Sequence, residues 1–409
     1  MNVCSAVFSP AEILLPAFHA DAGKMSRWAV IACDQFTSSP SYWEACRAFI
    51  GDAPSTLSYI MPEAYLGTPE EGEHGERIAR SMAAFSENGM KKIDGFVYLE
   101  RTLPDGTVRR GLIGKIDLEA YDYAPGSVSP VRATEATVLE RIPPRRKVRA
   151  EASVELPHIL ILVDEDVGLF DTAKALSHDA GPVYDFPLMQ GGGRAVGYAL
   201  EGKSADEMRE KIAEYEASRR GVVYAMGDGN HSLAAAKAHW ENVKRETGNL
   251  AHPARYALCE VTALGDDSLR FEPIYRVVKN ADEKELLAAL DKVAKPGEGG
   301  QTVTVLTKDG ETAVSFTRPT HALTVGTLQD FLDPWLAAHP GASCDYIHGE
   351  DDLRALVREE NAVGFLFSGM DKSELFPYVE AHGTLPRKTF SMGEAQSKRY
   401  YLEARRIVL

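Results

Sequence analysis

The stretch GVVYAMGDGNHSLAAAKAHWENVKRE, residues 221–246, has the pattern of a strand, a turn and a helix at the centre of this chain. Its apolar run, residues 222–226, predicts a buried strand. Residues 227–231 contain two glycines and predict a tight turn, after which Ser232 is the expected cap of an alanine-rich helix over residues 233–244. The free N–H groups of a helix start attract anions, so this order of elements favours a phosphate site. A plain strand-to-helix connection with no ligand is an equally good interpretation.

The bulk composition indicates a globular protein with more than one domain. The chain has 409 residues, of which 44% are hydrophobic and 26% are charged. A net charge of −15, from 45 basic and 60 acidic residues, argues against a general nucleic-acid binder. Five widely spaced cysteines predict free thiols in a reducing compartment. We see neither a signal-peptide pattern nor an apolar run near the roughly 20 residues that span a bilayer, so we expect a cytoplasmic protein without a membrane partner.

The clearest change in composition is KPGEGG, residues 295–300, which predicts a loop or linker. We expect a first domain over residues 1–280, which contains the central turn, and a C-terminal α/β domain over residues 281–409.

Residues 131–149 form a positively charged segment in a chain whose net charge is negative. Their six basic residues are Arg132, Arg141, Arg145, Arg146, Lys147 and Arg149. One interpretation is a cationic rim for phosphate groups, because guanidinium groups bind phosphate oxygens in pairs. The other is a surface arm that pairs with the acidic remainder of the chain. Glu135 lies beside these cations and is a candidate general base. Pro143 and Pro144 are expected to stop any helix before Arg145.

Asp34 follows a predicted buried strand, residues 28–32. The end of a strand is a common position for functional groups in α/β proteins, although a side-chain cap for the loop is an equally good interpretation. The chain lacks the HExxH, GxSxG, GxxxxGK[ST] and GxGxxG motifs. What remains is a set of carboxylates (Asp34, Glu135 and Asp228), one histidine at a helix start (His231) and the arginines. This set suits phosphoryl transfer, in which cations neutralise phosphates, one carboxylate binds magnesium and another accepts a proton.

Seven motifs together resemble the bacterial and archaeal family known as domain of unknown function 1015. They are AVIACDQFTSSPSYWE (29–44), RATEATVLERIPPR (132–145), LPHILILVDE (156–165), YDFPLMQGGG (184–193), GDGNHSLAAAKAHWE (227–241), DYIHGEDDL (345–353) and LPRKTF (385–390). The most recognisable element of that family is an Asp-Gly-His-His-Arg segment at a helix start. Here it reads Asp-Gly-Asn-His-Ser, residues 228–232, so the cation for a phosphate is expected from residues 141–149.

This element is similar to the nucleotide-binding helix start of the ParB/sulfiredoxin superfamily, which includes free-serine kinases. The resemblance implies a mixed α/β (α+β) fold whose core is ParB/sulfiredoxin-like (serine-kinase-like), with an additional mixed sheet and helices. It also implies that the domain over residues 1–280 binds a nucleotide, ATP or ADP, together with Mg²⁺. Phosphorylation of a small hydroxyl metabolite such as free L-serine is the leading activity.

The expected site follows from these two lines of reasoning. Its phosphate-binding residues are Asp228, Gly229, Asn230, His231, Ser232, Arg141, Arg145 and Arg146. Its catalytic residues are Glu135 as the base, His231 and Asp34, and the metal ligand is Asp228. The expected partners are the small-molecule substrate, the nucleotide and a second copy of the chain. Two other functions stay open: a non-catalytic nucleotide-binding regulator and a hydrolase of a phosphorylated metabolite.

Overall fold

The computed structural model describes residues 6–36, 39–65, 68–85, 87–137, 139–164, 167–297, 299–360 and 362–409. The chain divides into two compact units. The first comprises Met1–Leu269, Phe376–Thr384 and Glu394–Leu409, and the second comprises Arg270–Leu375 and Leu385–Gly393. The sequence-based boundary lay between residues 280 and 281, whereas the chain enters the second unit at Arg270 and later returns twice to the first.

The strands and helices of the described residues alternate along most of the chain. In chain order the strands are β1 (Phe8–Ser9), β2 (Ala11–Leu15), β3 (Val30–Ile31), β4 (Lys91–Thr102), β5 (Val108–Asp117), β6 (Tyr121–Asp122), β7 (Val131–Arg132), β8 (Val154–Glu155), β9 (Leu160–Val163), β10 (Tyr184–Pro187), β11 (Arg194–Glu201), β12 (Tyr224–Asp228), β13 (Tyr256–Ala263), β14 (Phe271–Lys279), β15 (Ala294–Pro296), β16 (Thr302–Thr307), β17 (Gly310–Phe316), β18 (Ser343–His348), β19 (Val363–Phe367), β20 (Phe390–Met392), β21 (Tyr400–Tyr401) and β22 (Arg405–Arg406). The α-helices are α1 (Ala22–Trp28), α2 (Pro40–Ile50), α3 (Glu71–Ala83), α4 (Ile142–Glu151), α5 (Leu169–Ser177), α6 (Lys203–Ser218), α7 (Asn230–Thr247), α8 (Glu283–Leu290), α9 (Thr324–Ala338), α10 (Glu350–Glu360) and α11 (Leu375–His382).

An eleven-stranded sheet forms the centre of the first unit. Its order is β10-β11-β4-β5-β13-β9-β12-β7-β6, with β1 paired to β5 and β2 paired to β4. Most neighbours are antiparallel, but β13 runs parallel to β9, and β7 runs parallel to both β12 and β6. Such a mixed sheet with helices packed against it confirms the coarse prediction of a mixed α+β fold.

Strand β9 shows why an apolar run becomes a central strand. All four of its residues, Leu160–Val163, are buried. The strand lies between β13 on one side and β12 on the other, parallel to the first and antiparallel to the second. A strand covered on both faces favours a continuous apolar sequence over an alternating one, as the sequence here predicts.

Two hairpins of the central sheet turn at glycines. Strands β4 and β5 pair on either side of Gly106, whose φ is 87°. Strands β10 and β11 pair on either side of the glycine-rich turn, in which Gly191 has a φ of 72° and Gly193 a φ of 83°. Glycine adopts these left-handed conformations without steric cost. The three consecutive glycines therefore lie in a hairpin turn.

The last sixteen residues of the chain belong to the first unit. Strand β21 pairs with β3, strand β22 pairs with β8, and Ala404 forms a bridge with Leu14. Tyr400, Leu402 and Ala404 are fully buried within this unit. This C-terminal segment, residues 394–409, is thus part of the core that positions the central turn.

The second unit has its own seven-stranded sheet and its own core. The strand order is β15-β17-β16-β19-β14-β18, with β20 paired to β14. Its buried residues include Leu286 from α8, Leu328 from α9 and Leu353 from α10. None of the helices built from the described residues combines the length and the apolar character that a membrane crossing needs.

Candidate functional site

The central turn joins β12 to α7 through a single glycine. Gly229 is the N-cap of α7, with φ 82° and ψ 26°, and the helix begins at Asn230. The expectation that Ser232 caps the helix is therefore wrong, because the left-handed glycine lets the helix start earlier and leaves Ser232 inside its first turn. A Cβ atom on Gly229 would lie 3.2 Å from the Ile159 Cα atom, so the close approach of β9 also favours glycine here.

The polar groups at this helix start are only partly satisfied by the protein. The Gly229 N–H donates to Asp228 Oδ1 at 2.8 Å, and the first bond within the helix runs from the Leu233 N–H to the Gly229 carbonyl at 3.0 Å. Gly229 has no side chain with which to cap the helix. Asn230 Oδ1 is buried and has no hydrogen-bond partner among the described residues. A buried polar atom of this kind normally has a partner, so the turn is suited to a bound polar ligand.

Glu135 reaches the same end of the sheet as Asp228. Strand β7 runs parallel to β12, with Val131 opposite Tyr224 and Arg132 opposite Ala225. The Thr134 hydroxyl then donates to the Met226 carbonyl at 2.8 Å, so the chain follows β12 beyond the end of β7. Because parallel strands advance together, Glu135 continues in the direction of Asp228.

The C-terminal segment contributes a residue that the sequence analysis missed. Lys398 Nζ lies 3.8 Å from Asp228 Oδ2, and only 11% of the lysine side chain is exposed. Two residues later, Tyr400 pairs with Ile31 of β3. Asp34 follows that strand in a short 3₁₀ turn, Asp34–Phe36, and its side chain lies outside the described part of the chain.

An aromatic contact lies next to the residue that approaches Gly229. The rings of His158 and Tyr401 have centroids 4.7 Å apart. His158 directly precedes Ile159, which contacts Gly229. Neither His158 nor Tyr401 was identified from the sequence, because only the pairing of β21 with β3 brings the C-terminal segment to this position.

Helix α4 carries the basic segment. It includes Pro143 and Pro144 in its first turn and continues through Arg145. The prediction that the two prolines end any helix before Arg145 is therefore wrong. Proline is accommodated in the first turn of a helix, because the backbone N–H groups there have no partner within the helix. Ile142 packs against Ala234 and Ala235 of α7. The first turn of α4 therefore lies beside the first two turns of α7.

The arginines of α4 differ in their surroundings. Arg149 Nη2 lies 2.6 Å from Glu155 Oε2, and Arg405 Nε lies 2.6 Å from Glu155 Oε1. Burial alone would raise the pKa of Glu155, but these two guanidinium groups hold it below its usual value. Arg145 is half-buried, one turn from Ile142, whereas Arg146 is exposed. The side chain of Arg141 lies outside the described residues.

The carboxylates do not form a ready-made metal cluster. Within the residues that the structure describes, no group of three or more His, Cys, Asp or Glu side chains is arranged to hold a metal ion. A magnesium ion at Asp228 would therefore depend on oxygens that a phosphorylated ligand brings with it.

Fold and site together define a mixed α+β protein with a polar turn at a helix start. Residues 15–335 match the model of the family described as Protein of unknown function (DUF1015). The chain belongs to this family, as its seven motifs indicate. No protein of curated function matches the chain.

Several solved structures are similar over much of the chain. A conserved hypothetical protein from Pyrococcus furiosus has a TM-score of 0.37 and 10% identity, covering 71% of this chain and 94% of that one. A free serine kinase in complex with AMP has a TM-score of 0.39 and 10% identity, covering 71% and 90%. A mutant free serine kinase in complex with ADP has a TM-score of 0.40 and 10% identity, covering 73% and 94%.

Proposed function

We propose that this protein is a nucleotide-dependent phosphotransferase that acts on a small hydroxyl metabolite, in the manner of a free L-serine kinase. The proposal includes a ParB/sulfiredoxin-like core within the first unit. The observation that carries it is the common position of Asp228, the Gly229 helix start and the Glu135 segment at one end of the sheet. This arrangement combines an anion site with carboxylates, which are the two requirements of phosphoryl transfer.

The nucleotide phosphates, from ATP or ADP, bind at the start of α7. The N–H groups of Asn230, His231 and Ser232 belong to the first turn, where the helix dipole favours negative charge. The unpartnered Asn230 Oδ1 accepts a hydrogen bond from a ligand hydroxyl or amine. These contacts orient the nucleotide without a glycine-rich phosphate loop.

The arginines of α4 supply positive charge from the neighbouring helix. Arg145 is the best supported of the three expected cations, because it shares the α7-facing side of α4 with Ile142. Arg141 precedes α4 in the 3₁₀ turn Leu139–Arg141, and Arg146 is exposed on α4.

Asp228 would hold magnesium together with phosphate oxygens. Mg²⁺ commonly binds through one or two carboxylates plus substrate phosphates and water, so a single protein carboxylate is a sufficient anchor. When bound there, the ion would supply positive charge to the phosphate oxygens. Asp34 is the second candidate carboxylate, since it follows a strand that pairs with the C-terminal segment.

Glu135 accepts the proton of the acceptor hydroxyl. The hydroxyl oxygen forms a bond to the terminal phosphorus, the bond from that phosphorus to the nucleotide oxygen breaks, and the hydroxyl proton moves to the Glu135 carboxylate. His231, in the first turn of α7, contacts the transferred group in this scheme.

A coupled nucleotide-consumption assay over a panel of hydroxyl amino acids tests this activity. We expect turnover with ATP or ADP, Mg²⁺ and one of these acceptors. The Glu135→Gln variant should lose about 100-fold or more of the turnover, because it removes a general base, and should still bind nucleotide. Glu140→Gln is the matched control, since Glu140 is exposed on the same segment and should leave turnover unchanged.

Three outcomes would contradict the proposal. Absence of turnover with every hydroxyl amino acid excludes serine-like acceptors. Nucleotide binding by calorimetry without a phosphorylated product would indicate a regulatory nucleotide-binding protein. Phosphate release without an acceptor would indicate a hydrolase. Homodimer formation stays a prediction from the sequence.

A further inference from the structure

We infer that Lys398 supplies the fixed positive charge of the Asp228 turn, and that the buried Arg101 and Arg109 hold it in place. The inference deepens the proposed function and rests on it. It assigns the cation that contacts bound phosphate to a residue in the C-terminal segment, far in sequence from both the turn and α4.

The turn needs such a cation for a simple electrostatic reason. Asp228 contributes a carboxylate to a position where an anion is expected to bind. Gly229, Asn230 and Ser232 contribute no charged side chain to offset it. Arg149 pairs with buried Glu155 and belongs to a different cluster. A positive side chain at the turn itself would therefore offset the Asp228 carboxylate, in addition to the charge proposed for the α4 arginines and magnesium.

The geometry of Lys398 meets this requirement. Its Nζ atom lies 3.8 Å from Asp228 Oδ2, at the outer limit of an ion pair. The ammonium group thus offsets the charge of the carboxylate at the position where an anion is expected to bind. With 11% of its side chain exposed, Lys398 is largely shielded from water, and shielding strengthens its attraction for a phosphate.

Two buried arginines bind the backbone around Lys398. Arg101 Nη1 donates to the Lys398 carbonyl at 3.0 Å, and Arg101 Nη2 donates to the Gln396 carbonyl at 2.7 Å. Arg109 Nη1 donates to the Ser397 carbonyl at 3.0 Å. Arg101 is fully buried, and Arg109 is 2% exposed. Three consecutive carbonyl groups are therefore tied to side chains of the central sheet.

The residue after Lys398 is fixed as well. Arg399 Nε lies 2.9 Å from Glu260 Oε2, and Arg399 Nη2 lies 2.6 Å from Glu403 Oε2. Glu260 Oε1 also lies 3.3 Å from Arg109 Nε. All these side chains are almost completely buried. Buried ion pairs are costly to build, and a role in fixing one arrangement of the chain is a recognised reason to keep them. Here they fix the backbone position from which the Lys398 side chain extends.

Calorimetric titration of the full chain with ADP, and separately with inorganic pyrophosphate, tests the inference. Lys398→Met should weaken both affinities by about 10-fold or more, because a charge-assisted hydrogen bond is lost. Lys398→Arg should restore most of the affinity. Lys244→Met is the matched control: it removes an ion-paired lysine of α7 that lies roughly 21 Å along the helix from the turn, and it should leave binding unchanged.

Two further measurements separate a charge role from a structural one. The affinity of the wild-type protein for pyrophosphate should decrease with salt more steeply than that of Lys398→Met. Bound pyrophosphate should also protect Lys398 from acetylation, as measured by mass spectrometry. Arg101→Lys retains the charge but loses the forked contacts to the backbone, so it should weaken this protection and the binding while Lys398 is unchanged.

The outcomes distinguish the inference from the proposed function. If the wild-type protein binds ADP and Lys398→Met binds it equally well, the role of Lys398 is wrong and the proposed function stands. If pyrophosphate binds and ADP does not, the nucleotide proposal is wrong and pyrophosphate still tests Lys398. If neither ligand binds, both are wrong. Equal losses in Lys398→Met and Lys398→Arg would overturn the charge role.

Discussion

At the scale of single residues, the role of a buried charged side chain depends on the group with which it pairs. Arg149 lies in a basic segment that was interpreted as a phosphate rim, yet its guanidinium group pairs with buried Glu155. Arg405 pairs with the same carboxylate from the C-terminal segment. The residues of the basic segment therefore differ in role. Arg149 stabilises the fold through Glu155, and Arg145 is a proposed phosphate ligand on the side of α4 that faces α7.

His239 should make stability depend on pH. Burial, reinforced by the charge of Arg149, lowers the pKa of His239 to about 4, whereas an unfolded histidine has a pKa of about 6.5. Between these values the unfolded state binds more protons, so the free energy of unfolding should decrease as pH falls through this window. His239→Gln lacks the titration, and its free energy of unfolding should decrease less from pH 7 to pH 5.

Urea unfolding at pH 7, 6 and 5 measures this difference, with a variant of exposed His178, His178→Gln, as the control. The control should follow the wild-type protein. Equal pH dependence in His239→Gln and the wild-type protein would contradict the assignment.

At the scale of elements, the junction of β12 and α7 depends on one glycine. Gly229→Ala introduces a Cβ at a φ of 82° and at 3.2 Å from the Ile159 Cα atom. A left-handed conformation alone costs an alanine about 1–2 kcal/mol, and the contact with β9 adds to this. We expect lower stability in urea unfolding together with weaker ADP binding, because the helix start shifts.

The other end of α7 provides a matched control. Gly248 is the C-cap of the same helix, with a φ of 67°, and a Cβ there would meet no atom within 4 Å. Gly248→Ala should therefore show the strain of the left-handed conformation alone and leave ADP binding unchanged. Equal effects of the two substitutions would exclude a special role for the Gly229 junction.

At the scale of the whole molecule, the C-terminal segment completes the first unit. Ending the chain at Gly393 removes β21, β22 and the arginines that pair with Glu155 and Glu260. Removing one partner of a buried ion pair typically costs about 3–5 kcal/mol, and this truncation does so twice. We expect hydrogen exchange to show loss of protection in the first unit, while the second unit keeps all of its residues.

A chain that ends at Ile407 is the control for this truncation. It removes only Val408 and Leu409, which are exposed, and keeps every buried residue of the segment. It should retain the protection of the intact chain. Full protection of the first unit in the longer truncation would contradict the structural role of the segment.

Local chemistry in the sequence was sufficient to predict the features that depend on neighbouring residues. The apolar run of β9, the hairpin at Gly106 and the strand-turn-helix order of residues 221–246 follow from patterns of hydrophobicity and turn residues. The mixed α+β class and the family follow from the same patterns and motifs. The start of α7 was misplaced because a left-handed glycine takes the N-cap position that was predicted for a serine.

The contacts between residues that are distant in sequence are visible only in the tertiary structure. The pairing of β7 with β12 aligns Glu135 with the central turn, and the pairing of β21 with β3 brings Lys398 to Asp228. Neither contact can be predicted from a short sequence motif, because strand pairing and buried charges bring together residues that are far apart in the chain. Patterns of neighbouring residues are therefore sufficient to predict the strand, the polar turn and the helix. The long-range packing of the first unit sets which charged groups surround that turn.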